Sequence, residues 1–390
     1  MFEKLLVGGR LYKAWILFLL VIIGAGVVCY LIQFFYGLGI TGMSRDVSWG
    51  LYLANFTFFV GVAASAVMVV LPYYLHNYKA FGKLTTFGEF LAVSAVLMCI
   101  LFVTLDLGQP TRILNIILHP SPSSILFWDV VVLSSYLVLN LIIAWHILNA
   151  HRHGEKPKPW AKWLILISIP VAISIHTVTA FIYSGLGART FWLTALMAPR
   201  FLASAFASGP ALLILLCLIM KRFAGFDPGK DAIRKLTQIV TYALIITVFF
   251  FVVEIFTVYY SQLPEHMVYF NYLLFGIDGH NALVPWMWTT IVFWIAAIAL
   301  LLIPRTRNKE KILIVALVLV FIAMWIDKGM ALMIPAFIPS PLGAITEYFP
   351  TAPEVFITLG IWGIGFLVLT VFYKLTLAVN EEVGDEDTAH

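Results

Sequence analysis

Apolar residues run through this chain in ten long stretches, and polar residues are confined to the short segments between them. A hydrocarbon core of about 30 Å takes about 20 residues of helix at 1.5 Å each, so every stretch predicts a membrane-crossing helix. The spans fall at 14–39, 49–75, 87–106, 124–148, 161–187, 198–220, 235–262, 284–304, 312–335 and 352–377. The predicted fold is therefore all-α and integral to the membrane, with both termini on one side because the number of crossings is even. Residues 1–380 form a single polytopic domain, and residues 381–390 an acidic tail expected to be solvated and disordered.

Charge orients this arrangement. Of the 24 Lys and Arg residues, 19 fall in loops of one face, among them Lys13, Lys83, Lys158, Lys230 and Arg307. The opposite face holds Arg45, Arg112, Arg189 and Arg200, and Lys328 lies inside a span. The positive-inside rule then predicts a multi-pass protein of the cell membrane with cytoplasmic termini and a cytoplasmic tail. With 62% hydrophobic residues and a mean hydropathy of +0.98, most of the chain is solvated by lipid or by other helices. The net charge of +4 is a loop effect and predicts no nucleic-acid partner. The first span lacks a small-residue cleavage site and reads as an uncleaved helix.

Cys29, Cys99 and Cys217 are scattered through separate spans, with no Cys-x-x-Cys pair. His146 and His176, the histidines well inside spans, differ in depth by roughly 15–20 Å. The chain is therefore expected to hold no metal site, iron–sulfur cluster, haem or flavin of its own. The outer loops, 42–48, 108–124, 185–200, 263–284 and 335–353, carry the Gly and Pro residues and suggest a shaped docking surface.

Spans 2 and 6 each enter from the outer face and lead into a small-residue patch, Gly61–Ala66 and Ala203–Gly209. Small residues let helices approach closely in lipid, and two such spans running the same way suggest a parallel repeat. The economical arrangement is two four-helix bundles, helices 2–5 and 6–9, with helices 1 and 10 peripheral.

Ionisable groups inside a bilayer are costly and are functional candidates by default. Asp106 ends span 3, and Asp129 lies about 8 Å below the outer end of span 4. His176 is near mid-depth, Glu254 and Asp327 lie about 12 Å below the outer face, and Glu354 starts span 10. Only Glu89 and His146 lie near the inner end. Asp129, Tyr136 and Asn140 share one helical stripe, and His176, Thr179 and Tyr183 another, on consecutive antiparallel helices. A His beside a carboxylate exchanges protons near neutral pH, while Tyr and Asn hydrogen-bond carbonyls; together they suit a quinone. Asp327 and Lys328 project about 100° apart and are read with Glu254 either as a structural ion pair or, with Glu89, as a proton path.

Trp49–Gly50–Leu51, the run Asp106-Leu-Gly-Gln-Pro-Thr-Arg112, Ser121-Pro-Ser-Ser124 with Trp128–Asp129, and His176 with Gly187-Ala-Arg189 resemble the NrfD/polysulfide-reductase membrane-subunit family. Length and ten spans bring the chain nearest the DsrP type, found in DsrMKJOP redox complexes of sulfur metabolism; the Hmc, Qrc and Act types stay open. The resemblance implies an integral subunit that exchanges electrons between menaquinone or menaquinol near the outer face and a ferredoxin-like iron–sulfur subunit docked there. Further redox subunits would complete the complex, so the chain would be an enzyme only as part of it. Asp129 and His176 become the proton partners of the quinone, with Asp106, Arg112 and Arg189 shaping the outer wall. Trp49, Asn55, Tyr136, Asn140, Thr179 and Tyr183 complete the binding set. Two other readings stay open, a proton- or ion-coupled secondary transporter and a passive anchor without quinone. Mid-span Gly/Pro interruptions, expected of a transporter, are not paired in this sequence.

Overall fold

The computed structural model describes residues 8–63, 65–155 and 157–388, side chains after Val379 excepted. Lys4 and Lys156, counted above among the basic loop residues, and the last two residues of the acidic tail lie outside them. Ten helices are long and apolar enough to cross a membrane. They are α1 (Arg10–Tyr36), α2 (Leu51–Leu75), α3 (Gly82–Asp106), α4 (Ile125–Arg152) and α5 (Pro159–Ser184). The second half comprises α6 (Met197–Ala224), α7 (Lys230–Tyr260), α8 (Val284–Leu302), α9 (Glu310–Phe337) and α10 (Ala352–Thr388). Proline starts α5 at Pro159, where its missing N–H is harmless, and Gly225 stops α6 with φ 68°. Inside the helices, threonine and serine hydroxyls bond back along the chain, as Ser174 does to the carbonyl of Pro170, because lipid offers no other partner.

Two four-helix groups, α2–α5 and α6–α9, pack as the economical arrangement predicts. Burial ranks the helices. In the most apolar 18-residue window of α2, 94% of residues are buried, against 11% in α1. α1 is outermost and lies on α10, which in turn rests on α3; Gly26 and Gly360 bring α1 and α10 together so closely that a Cβ at Gly26 would stand 2.8 Å from the Gly360 Cα. α2 is central and faces the second bundle. The two small-residue patches meet there: a Cβ at Gly209 would stand 3.1 Å from Ser65, and one at Gly61 3.6 Å from the Ala205 Cα. The patches thus form the seam between the bundles.

Three features differ from the sequence-based expectation. The tail continues α10 as helix as far as Thr388 instead of standing apart as coil. α3 begins at Gly82, five residues before its apolar stretch, because Lys83 and Thr85 are polar residues at a helix end. α9 is regular only to Trp325; Ile326–Met330 form a π turn, and Pro335–Phe337 a 3-10 turn. At the π turn α9 presses on α2, where a Cβ at Gly329 would be 3.0 Å from the carbonyl oxygen of Ala54.

Candidate functional site at the outer end of the bundle seam

The Lys/Arg-poor end of the seam opens as a pocket of about 360 Å³ lined by Ser48, Trp49, residues 185–189 and Phe337. Two of these lining residues, Trp49 and Phe337, belong to a buried aromatic cluster on which three elements converge. Trp49, just before α2, stacks on Trp192 at 5.5 Å and meets Tyr183 and Phe337 edge-on at 6.0 and 5.7 Å. Trp192 is pinned by its indole N–H, which donates to the Leu332 carbonyl at 2.8 Å. The Arg189 guanidinium lies over the Phe337 ring, 4.3 Å from its centre, and its Nη1 reaches the Ala336 carbonyl at 3.5 Å.

A polar stripe leads inward from this box along α5. The hydroxyls of Tyr183 and Thr57 are 2.6 Å apart. One turn deeper, Thr179 donates to Asp129 Oδ1 at 2.6 Å, which ties α5 to α4. His176 lies on the same stripe, three residues from Thr179, fully buried and with neither ring nitrogen bonded. Spacings of four and three residues put the three side chains about one turn apart. No bond joins Asp129 directly to His176 among the described residues; Thr179 connects Asp129 to the stripe.

The other predicted residues are placed differently. Tyr136 donates to the Ala63 carbonyl at 3.2 Å and Asn140 to that of Tyr136 at 2.7 Å, so both are bonded to backbone lower in the bundle. Asn55 accepts from the indoles of Trp325 and Trp362, both at 3.0 Å, and donates to Leu51, which makes it a tie between α2, α9 and α10. Asp106 ends α3 with Oδ1 buried and unbonded. Arg112 is exposed in the turn Pro110–Arg112. Glu89 is buried in the first bundle with Oε2 unbonded.

The second bundle's charges form a clamp. Arg200, grouped by the sequence with the outer loops, is buried inside α6. Its Nη1 and Nη2 reach Glu254 at 2.8 Å and Asp327 at 2.5 Å. The π turn sends the adjacent Lys328 elsewhere, to the Phe201 carbonyl at 3.2 Å and over the Phe201 ring, 4.4 Å from its centre. That position faces the seam, 3.0 Å from where a Gly61 Cβ would stand, and within electrostatic reach of His176.

A further outer-end cradle surrounds Glu354, whose carboxylate accepts from the backbone N–H groups of Gly42, Leu51 and Thr351 at 3.0, 3.3 and 3.4 Å, and from the Tyr348 hydroxyl. Burial and the neighbouring Glu354 carboxylate push the Tyr348 phenol up, so it stays a donor. The sequence reading noted Glu354 but missed Thr57, Trp192, Phe337, Tyr348 and the role of Arg200. The one signal for Arg200 was its position within the apolar span that starts at 198.

A selenate reductase subunit of Mesobacillus selenatarsenatis is 24% identical to the chain, over 92% of each protein. The Hdr-like menaquinol oxidoreductase integral membrane subunit of Archaeoglobus fulgidus is 24% identical, over 96% of this chain and 95% of the relative. The menaquinone reductase integral membrane subunit of Nitratidesulfovibrio vulgaris is 21% identical, over 93% and 91%. The family model described as polysulphide reductase, NrfD matches residues 39–338, which include the aromatic pocket, the α5 stripe and most of both bundles. The chain belongs to that family.

Proposed function

We propose that the chain is the quinone-reactive membrane subunit of a respiratory redox complex, with a menaquinone or menaquinol headgroup seated at the outer end of the seam. The observation that carries this reading is the aromatic pocket with a stripe of proton-handling groups below it. A pocket of this size, with the Trp49 and Phe337 rings and the Arg189 guanidinium in its lining, suits a flat bicyclic ligand. Two of the three relatives described above are named for menaquinol or menaquinone chemistry, which supports the same ligand class.

Redox change of the ring moves two electrons and two protons. In this reading Trp49 and Phe337 hold the ring plane, Trp192 backs Trp49, and a ring oxygen takes the Tyr183 hydroxyl proton from its present acceptor, Thr57. Asp129 and His176 receive or supply the protons, with Thr179 orienting the carboxylate. The electrons pass to or from a ferredoxin-like iron–sulfur subunit docked on the outer loops 107–123 and 185–200, within a larger set of redox subunits. We orient the protein in the cell membrane with both termini cytoplasmic, on the 19-to-4 division of Lys and Arg. Length and ten helices favour the DsrP type within the family. Glu254 and Asp327 are held by an arginine that never gives up its proton. Any proton movement is therefore assigned to Glu89 and Lys328, neither of which has an ion-pair partner among the described residues.

The test is turnover of the intact complex with a menaquinol analogue. Asp129→Asn keeps the acceptor for Thr179 but removes the titrating proton, and His176→Phe removes the imidazole. Each is expected to lower quinone-linked turnover by roughly 10²-fold while assembly is preserved. Parent-level rates in both assembled variants would refute the proton assignment.

A further inference from the structure

A second cavity lies at the opposite, Lys/Arg-rich face and plays no part in the site above. It is a lateral groove of about 490 Å³ between α3, α4, α5 and α10. Its wall is apolar, with Phe90 and Phe372 stacked at 4.4 Å and Leu141 and Ile142 open to the surroundings. Its rim carries the half-exposed indoles of Trp145 and Trp160, the arrangement found at the headgroup level of a bilayer.

The polar end of the groove is equally defined. The backbone N–H of Lys158 donates to His146 Nε2 at 3.0 Å, which leaves the other ring nitrogen to serve as a donor. The side-chain amide of Asn149 adds a second donor to the lining. Around this end the described residues are basic, with Arg152 and Lys158 against the single acid Glu155. Lys158 is exposed beside this end, and the ring of Trp160 lies 4.4 Å from that of His146. An apolar channel that runs from the lipid to hydrogen-bond donors and a basic rim matches one kind of occupant. It must have a long hydrocarbon chain joined to an anion.

We propose that this groove is a binding site for an anionic phospholipid, with an acyl chain along Leu141, Ile142 and Phe372 and the phosphate between His146, Asn149 and Lys158. The proposal is independent of the quinone reading, since it uses none of the residues of the outer pocket.

The intact complex, purified in mild detergent and stripped of bulk lipid, can be titrated with phosphatidylglycerol and, separately, phosphatidylcholine and followed by native mass spectrometry. The parent is expected to retain phosphatidylglycerol in preference to phosphatidylcholine. A basic side chain near a lipid headgroup is worth about fivefold in affinity, so Lys158→Gln should weaken retention by roughly fivefold. Ile142→Trp, which fills the channel and leaves Lys158 in place, should abolish it. Equal retention of the two lipids by the parent overturns the proposal, as does retention of quinone in their place. Loss in the lysine variant with full retention in Ile142→Trp also overturns it, because attraction would then reside in the charged surface and not in the groove.

Discussion

The clamp in the second bundle gives the sharpest test of what the buried charges do. Arg200→Leu removes a guanidinium that is 8% exposed and leaves Glu254 (7%) and Asp327 (2%) without their cation. Two carboxylates that shared one partner then face each other away from water. Deleting one member of a buried ion pair costs about 3–5 kcal/mol, mostly as the penalty of the charge left behind. Replacing all three residues by leucine removes that penalty, and such replacements are often neutral or stabilising by about 1–4 kcal/mol. The triple variant is therefore expected to recover most of the stability lost in Arg200→Leu. The protein carries its own reporters, since Cys99 and Cys217 are buried and free. Their reaction with a thiol-specific fluorophore on heating gives the unfolding midpoint in detergent. If Arg200→Leu melts with the parent, or if the triple variant is no better than the single, the clamp is not what joins α6, α7 and α9. Because Glu254 and Asp327 are assigned to structure, the triple variant should also retain quinone-linked turnover.

Glu354→Ala takes the acceptor from the Gly42 and Thr351 N–H groups and from the Tyr348 phenol, while Leu51 keeps the Tyr348 hydroxyl at 2.8 Å, at roughly 1–3 kcal/mol for each donor left unbonded in a buried place. Hydrogen exchange should speed up at Gly42 and Thr351 before it does so in the membrane helices; unchanged exchange there would remove the cradle from the account. Gly61→Ala is expected to cost less than about 1 kcal/mol, since its Cβ meets the movable end of Lys328, whereas Gly61→Leu should force the seam apart and lower the melting point. Cysteine in place of exposed Ser123 should react with an impermeant maleimide from outside the cell, and labelling from the cytoplasm alone would reverse the orientation. Ser340 is unsuitable for that purpose because it is buried and bonded to Ala344.

How far the sequence could be read depended on the range of each interaction. Ten crossings follow from runs of apolar residues, a local property, and the helices of the structure match them within a few residues at most ends. Stripes on single helices are equally local, which is why Tyr183, Thr179 and His176 were legible as one line on α5. What the stripes face is a long-range property. Nothing in the spacing of Tyr136 and Asn140 says that they spend their hydrogen bonds on Ala63 and on one another, or that Asn55 receives two indoles from residues 270 and 307 positions away. Arg200 shows the limit most clearly. A positive charge two residues into an apolar span looks like a loop residue until its two acids, on α7 and α9, are seen around it. The π turn was illegible for a related reason. It is set by the packing of Gly329 on Ala54, not by any helix-breaking residue within Ile326–Met330 other than that glycine.

The placement of the site follows from the same packing. Small residues on α2 and α6 bring the two bundles into contact, with close approach at Gly61 and Gly209. Toward the Lys/Arg-poor face the large aromatic side chains Trp49, Trp192 and Phe337 take their place. Trp49, Trp192 and Phe337 come from before α2, from the α5–α6 loop and from the end of α9, so the pocket exists only while both bundles are docked. Phe337→Ala should test this dependence. It removes one wall and the ring beneath Arg189 without touching the proton-handling stripe. Truncating a large buried ring costs about 3–5 kcal/mol, so some loss of thermal stability is expected. The decisive readout is the split of kinetic constants with a menaquinol analogue. KM should rise while the maximal rate changes little, because the ring is held less tightly but its proton partners remain. A fall in maximal rate at unchanged KM would place the reacting ring on the proton-handling residues without help from the aromatic box.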